Sequence, residues 1–200
     1  MVVGSNWPRK EYMFPDGTPY TAEDIERQWD RSREYSMNYG TWMHYNIERY
    51  FNCLKPSEKL VEMSQFYNFE KLWIVDQNVT PLRTEWKIAA PEWSLGGTID
   101  FVGKKADGSY VIMDWKRSLK LDQNLTNNFN KKGRPPLEHI DDCEGSKYFL
   151  QLNLYKRILE KKYNINVSSM VLVSFHQKLE HYLAVEVPVS SCFFNMFVFY

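Results

Sequence analysis

The stretch GGTIDFVGKKADGSYVIMDWKRS, Gly96–Ser118, decides the fold, because two short apolar runs flank the turn residues Ala106-Asp107-Gly108. This pattern predicts a β-hairpin. Each apolar run also contains an acid, Asp100 in the first and Asp114 in the second. An unpaired carboxylate either costs several kcal/mol to bury or takes up a proton. We therefore expect the two acids to have partners.

The length of the turn determines whether the acids meet. A three-residue loop with Gly108 left-handed places Asp100 directly opposite Asp114, with Cβ atoms about 4.5–5.5 Å apart. A two-residue turn places Asp100 opposite Trp115 instead, on the wrong face. Since side chains alternate along a strand, Asp114 and Lys116 share a face in both registers.

The two faces of the hairpin differ in character. The acid face also carries Val102 and Ile112, so simple solvation is not expected. The repulsion between two facing carboxylates would be relieved by a shared proton, by a basic partner such as Lys116 or by a divalent cation. The alternative is that the two acids lie at the surface of an ordinary hairpin. The other face is apolar and is predicted to contact the core: Ile99, Phe101, Val111, Met113 and Trp115.

The remaining pattern predicts one α/β domain over residues 1–200, with a mixed central sheet flanked by helices. Residues 1–20 are expected to be irregular, and Thr21 with Asp24 resembles a capping box. The predicted helices span about 21–52 with a break near Gly40, 57–76 and 146–163. The predicted strands span 80–89, 94–104, 109–117, 168–175 and 181–187. The last residues, SCFFNMFVFY, are very apolar. We expect either that they pack on the core or that the natural chain continues past Tyr200.

Composition narrows the possible classes of protein. The formal net charge is zero, so bulk charge argues neither for nor against a nucleic-acid partner. Three widely spaced cysteines contain no CxxC pair, which excludes a four-cysteine metal or iron–sulfur site within this chain and fits a reduced intracellular protein. No apolar run approaches the ~20 residues of a membrane span, so no membrane partner is expected.

The hairpin acids resemble the core motif of the PD-(D/E)XK nuclease superfamily, which is an acid, a hairpin and then acid-x-lysine, here Asp114-Trp115-Lys116. Three further segments resemble its RecB-like branch and occur in the family's order. Gly40-Thr41-x-x-His44-x-x-Ile47-Glu48 matches the helical GTxxHxxIE motif. Glu85 matches the upstream acid, and Gln151-Leu-Asn-Leu-Tyr155 matches the QxxxY helix.

The resemblance implies a restriction-endonuclease-like core and a catalytic Mg²⁺ or Mn²⁺ ion. It implies that Asp100 and Asp114 bind the metal directly, together with the carbonyl of Trp115. It adds His44 as a further ligand, which favours Mn²⁺ modestly because imidazole is a less usual ligand for Mg²⁺. Glu85 would lie near the metal, with water between them, as one of the catalytic residues.

The resemblance also implies roles outside the metal site. Lys116 would orient the attacking water and stabilise the transition state. Gln151 and Tyr155 would contact the substrate backbone and support the catalytic lysine. The loop over 118–137 is long and polar, and residues 116–134 carry a net charge of +5, which indicates either a phosphate-binding lid or a solvated loop. Three of its cations, here called the loop cations, are the expected phosphate contacts: Lys131, Lys132 and Arg134.

These features predict a metal-dependent nuclease that hydrolyses phosphodiester bonds in DNA. Most relatives act at DNA ends, so the expectation is an exonuclease in recombination, repair or replication, acting on single strands or duplex ends. An endonuclease of a mobile element, virus or defence system is one alternative, and residues 137–163 look most like viral and mobile-element versions of the family. An inactive nucleic-acid-binding module is the other alternative. Strand polarity, oligomeric state and any helicase partner are not indicated by the sequence.

Overall fold

The structure is a computed structural model that describes residues 10–57, 60–127 and 130–189. The apolar C-terminal segment SCFFNMFVFY lies outside these residues, so the expectation that it packs on the core is not addressed. Within the described part of the chain, no helix combines the length and apolar character needed to cross a bilayer.

The chain divides into two compact units, which are Met1–Thr41 and Trp42–Tyr200. In the first unit, a 3₁₀ turn at Lys10–Tyr12 precedes helix α1, Ala22–Phe51, which continues into the second unit. The predicted capping box is confirmed, because the backbone N–H of Thr21 donates to Asp24 at 3.1 Å and the N–H of Asp24 donates to the Thr21 hydroxyl at 3.1 Å. The predicted break near Gly40 is wrong, since α1 is continuous there.

The second unit contains two more helices. Helix α2 spans Val61–Glu70 and is followed by a π-helical turn at Lys71–Val75. The sequence placed its start four residues too early, because the backbone is still extended at Leu60. Helix α3 spans Glu144–Lys162, within two residues of the prediction at each end.

Five strands form one mixed sheet in the order β1-β2-β3-β4-β5. The strands are β1 Thr80–Ala90, β2 Leu95–Lys104, β3 Tyr110–Lys116, β4 Val167–Ser174 and β5 Leu183–Glu186. Strands β3 and β4 run parallel, and every other neighbouring pair is antiparallel. Helix α3 lies between β3 and β4 in the chain, as a parallel connection requires. The predicted α/β fold with a mixed, helix-flanked sheet is confirmed, and it is consistent with a restriction-endonuclease-like core.

Both faces of the sheet are buried, which explains why its central strands are almost continuously apolar. On one face, Phe66 and Phe69 of α2 pack with Trp115 of β3. On the other face, Leu152 and Leu159 of α3 pack with Ile112 of β3. Burial of each such side chain contributes roughly 1.5–3 kcal/mol, so the sheet is held between the two helices.

The β2–β3 hairpin adopts the three-residue register. Phe101 pairs with Met113, and Lys104 pairs with Tyr110. Gly108 has φ +84°, a left-handed conformation that only glycine adopts without strain. Ile99 is buried in the core as expected, but the predicted face is wrong, because this side chain packs with the α3 residues and not with Phe101. Ile99 and Phe101 are two residues apart yet pack on opposite faces, so the regular alternation of β2 breaks between them, opposite the left-handed residue Glu85 of β1.

Candidate active site

The two hairpin acids lie where the β2–β3 ladder ends. Beyond the pair of Phe101 and Met113, the N–H of Trp115 donates to a side chain and not to a backbone carbonyl of β2. The acceptor is Oδ2 of Asp100, at 2.7 Å. Asp100 is only 7% exposed and Asp114 only 3% exposed. The structure therefore excludes two solvated surface acids and places both carboxylates in a low-dielectric environment.

Burial and nearby negative charges perturb both acids. Burial, followed by the negative charge of Asp114, raises the pKa of Asp100 to about 7. Burial also raises the pKa of Asp114, although the neighbouring ammonium of Lys116 opposes this effect. Such perturbed acids are typical of functional sites, where burial and neighbouring charges adjust pKa values to the chemistry.

Lys116 compensates only one of the two acids. Its Nζ lies 2.6 Å from Oδ2 of Asp114, which confirms that the two side chains share a face. Burial opposes the charge of the ammonium group, but the attraction of Asp114 outweighs it and raises the pKa of Lys116. The amine is therefore a fixed positive charge at neutral pH.

His44 reaches the same site from helix α1, within the second unit. Its Nδ1 lies 3.2 Å from Oε1 of Glu85 and 3.6 Å from Oδ1 of Asp100, and its Nε2 lies 3.0 Å from the carbonyl oxygen of Trp115. Burial disfavours the imidazolium, but the hydrogen bond to Glu85 and the negative charges of Asp100 and Asp114 outweigh it and raise the pKa of His44. The predicted convergence of helix and hairpin is therefore present in the structure.

Glu85 is held in an unusual backbone conformation. It lies in β1 between the pairs Thr84–Phe101 and Trp86–Ile99, and so across from Asp100. Its φ of +46° lies in the left-handed region, which a non-glycine residue occupies at a cost of order 1–3 kcal/mol. Such local strain is concentrated at functional sites, and here it accompanies the approach of the Glu85 carboxylate to His44.

These side chains form a donor set for a metal ion. One ligand atom from each of His44, Glu85 and Asp100 lies within 4.8 Å of the other two. Carboxylate oxygens suit Mg²⁺ and Mn²⁺, and imidazole suits first-row transition metals. A divalent cation would also offset the burial and the negative charge of Asp114, which together raise the pKa of Asp100. The residues present therefore fit the ion that the resemblance implies.

The Gln151 and Tyr155 pair lies on helix α3, which packs on β2. The side-chain amide of Gln151 donates to the Tyr155 hydroxyl at 2.9 Å. The Tyr155 ring covers Gly97, where an added Cβ would lie 2.6 Å from a ring carbon. Gly97 is therefore required for the close approach of the helix to the strand.

Tyr148 is a residue of the site that the sequence analysis missed. The ammonium of Lys116 lies 4.7 Å from the centre of the Tyr148 ring, on the first part of helix α3. Tyr148 lies three residues before Gln151 and seven before Tyr155, so the three share a helix face. That spacing is the only signal in the sequence, and the contact itself depends on the docking of α3 against β3.

The basic loop is less uniformly positive than its sequence implies. Arg117, counted in its charge, is instead buried, and its Nε donates to Oε1 of Glu62 in α2 at 2.8 Å. Lys132 pairs with Asp141, which follows the loop, and the two residues also form an isolated β-bridge. Lys131 and Arg134 are exposed. The phosphate-binding role of the loop cations stays a prediction.

Comparison with solved structures finds distant likenesses. No protein-family model matches the sequence, and no curated protein is significantly similar to it. A solved structure of a repair endonuclease from Pyrococcus abyssi is 20% identical, with a TM-score of 0.33 over 61% of this chain and 40% of the other. The crystal structure of SSO0001 is 13% identical, with a TM-score of 0.30 over 64% of this chain and 49% of the other. The chain thus spans less than half the length of either structure.

Proposed function

We propose that this chain is a divalent-metal-dependent nuclease of the RecB-like type, which hydrolyses phosphodiester bonds in DNA. The observation that carries the proposal is the grouping of His44, Glu85 and Asp100 within 4.8 Å, beside the buried pair of Asp114 and Lys116. These side chains come from one helix and three strands. The three carboxylates carry more negative charge than the two basic side chains, His44 and Lys116, can neutralise. Such an arrangement suits the binding of a cation next to a polyanionic substrate.

The metal ligands of the proposal are His44, Asp100, Asp114 and the carbonyl of Trp115, with Glu85 in the same group. When bound, Mg²⁺ or Mn²⁺ lowers the pKa of water and stabilises negative charge on the phosphoryl group. Asp100 has to give up its proton for the ion, because its pKa is raised to about 7. His44 likewise has to free one ring nitrogen from its proton.

Lys116 is the proposed electrostatic catalyst. Its ammonium has three donors, and the pair with Asp114 leaves others free for a phosphate oxygen or the attacking water. A fixed positive charge near the developing negative charge of the transition state contributes more than it would in water. Gln151 and Tyr155 are the proposed contacts to the substrate backbone, and the loop cations are proposed to bind flanking phosphates.

The mode of attack we propose is exonucleolytic, at single-stranded or frayed duplex ends during recombination, repair or replication. The support is the position of the basic loop directly after Lys116, since a tethered loop closes over one strand more readily than over a rigid duplex. Purified protein is incubated with Mg²⁺ or Mn²⁺ and end-labelled linear or closed circular single-stranded DNA. We expect metal-dependent loss of linear DNA and slower loss of circles. Equal rates would make the protein an endonuclease, and metal-dependent binding without cleavage would make it an inactive binding module.

A further inference from the structure

The contact between Tyr148 and Lys116 links helix α3 to the proposed catalytic group. The Lys116 side chain is 20% exposed, and its Nζ has two neighbours of different character. Oδ2 of Asp114 lies 2.6 Å away, and the centre of the Tyr148 ring lies 4.7 Å away. The ring is half-buried, so it attracts the ammonium group more strongly than an exposed ring would.

The two contacts respond differently when the proposed metal ion binds. Asp114 is a proposed metal ligand, so its negative charge is then shared between the ion and Lys116. The aromatic ring carries no net charge that the ion could take over, and its attraction for the ammonium persists. A lysine side chain has four rotatable bonds and up to about 2 kcal/mol of rotamer entropy to lose. The ring therefore supplies a constraint that Asp114 alone does not.

The ring also preserves the chemistry of the lysine. A carboxylate uses one of the three N–H donors of the ammonium group and partly neutralises its charge. The face of an aromatic ring attracts the cation through its quadrupole and leaves the charge unchanged. Lys116 can thus be held in position while its remaining donors stay available to a phosphate group.

Several contacts fix the position of the helix that carries Tyr148. Tyr155 lies against Gly97 of β2, and the amide of Asn153 donates to the carbonyl of Pro188 at 3.1 Å. The ammonium group of Lys156 donates to the carbonyl of Val167, at the start of β4. These contacts attach α3 to the sheet, and the Tyr148 ring itself packs against the same apolar cluster.

We propose that Tyr148 is a positioning residue, whose ring holds the ammonium of Lys116 in place during phosphodiester hydrolysis. This inference rests on the nuclease function proposed above. The ring face is the functional part of the side chain, and the phenolic hydroxyl is not required. Tyr148→Phe therefore keeps the function, and substitutions that remove the ring lose it.

The kinetic test compares four variants with the unmodified protein under saturating Mg²⁺ or Mn²⁺, on linear single-stranded DNA. Tyr148→Leu and Tyr148→Met are expected to lower kcat about tenfold with KM changed less than twofold, as for loss of one partly desolvated cation–π contact. Tyr148→Phe is expected to remain within twofold of the parent. Tyr163→Leu, at the other end of α3, removes an aromatic ring that contacts Trp86 and serves as the control. It is expected to leave kcat unchanged.

A spectroscopic test addresses the contact without relying on activity. In protein labelled with ¹³C-lysine, the Hε protons of Lys116 are expected upfield of ordinary lysine signals because of the ring current of Tyr148. The Lys116→Arg variant assigns the signal by its loss. The shift is expected to persist in Tyr148→Phe and to vanish in Tyr148→Leu and Tyr148→Met.

The combined outcomes separate the inference from the proposed function. Loss of the upfield shift with an unchanged kcat would overturn the positioning role, as would a rise in KM alone, which indicates substrate contact. Absence of an upfield shift in the unmodified protein would overturn the contact itself. If the unmodified protein cleaves no DNA with either metal, both the nuclease function and the catalytic role of Tyr148 are refuted. The spectra still show, independently of cleavage, whether the ring holds Lys116.

Discussion

The stability of the metal-free protein should fall as the pH rises, because Asp100 holds a proton in the folded state. The pKa of this carboxyl group is about 7 when folded, against an ordinary value of 3.8. Between these values the folded protein binds a proton that the unfolded chain does not, so each rise in pH favours unfolding. With these two values, the free energy of unfolding decreases by about 2 kcal/mol between about pH 5.5 and 8.

The raised pKa of His44 acts in the same direction, because the charge that stabilises the folded state is lost as the pH rises through the folded value. For a domain of this size, a loss of 2 kcal/mol lowers Tm by roughly 4–8 °C. The assay is thermal unfolding with a chelator present, at several pH values in this interval. Asp100→Asn is expected to reduce the slope, because the titrating carboxyl group is removed while the asparagine keeps an oxygen for the N–H of Trp115. The raised pKa values of Asp114 and His44 account for the slope that remains.

The control variant for this assay is Asp141→Asn. Its carboxylate has the opposite perturbation, because the hydrogen bond from Lys132 lowers the pKa of Asp141. The pH slope of this variant should match that of the unmodified protein. A Tm that rises with pH in the unmodified protein, or the same slope in Asp100→Asn, would refute the account of a buried and uncompensated carboxyl group.

Further predictions concern catalysis, packing and substrate binding. Lys116→Ala should slow hydrolysis by roughly two to four orders of magnitude, as for loss of a transition-state contact, and full activity would reduce Lys116 to a charge-balancing role. Gly97→Ala should destabilise the fold by roughly 1–3 kcal/mol in urea unfolding, because the new Cβ overlaps the Tyr155 ring. Gly40→Ala, in open space within α1, should stabilise the fold by roughly 0.5–1 kcal/mol, and equal effects of the two alanines would contradict the packing model. Neutralising the three loop cations together should weaken DNA binding and flatten its salt dependence without altering the metal requirement, and an unchanged salt slope would place the substrate elsewhere.

Local chemistry explains which parts of the fold were predictable. The three-residue turn depends on one glycine, Gly108, whose left-handed φ is a property of the residue itself. The start of α1 depends on a hydrogen-bonded pair three residues apart, Thr21 and Asp24. The predicted break at Gly40 failed, because the cost of one glycine within a helix, about 1 kcal/mol, is small against the stability of the surrounding turns.

The candidate site was only partly predictable, because its contacts join residues that are distant in sequence. His44 and Glu85 meet across 41 positions, and only the resemblance to a nuclease family suggested that they converge. The sequence near Arg117 gives no sign of its buried ion pair with Glu62, which is 55 positions away. The net charge of the loop therefore includes Arg117, although its charge is already paired. Tyr148 was missed for the same reason, since a ring becomes a partner for Lys116 only after α3 packs against β3.

Cleavage by the two acid-to-amide variants tests the central claim most directly. Asp100→Asn and Asp114→Asn preserve the size of each side chain and remove the negative charge that a cation requires. End-labelled linear single-stranded DNA is incubated with each protein while the concentration of Mn²⁺ is increased, and the rate of hydrolysis is measured. We expect metal-dependent cleavage by the unmodified protein and no measurable cleavage by either folded variant at any Mn²⁺ concentration. Near-normal hydrolysis by either variant, with an unchanged far-UV spectrum, would contradict the proposed site.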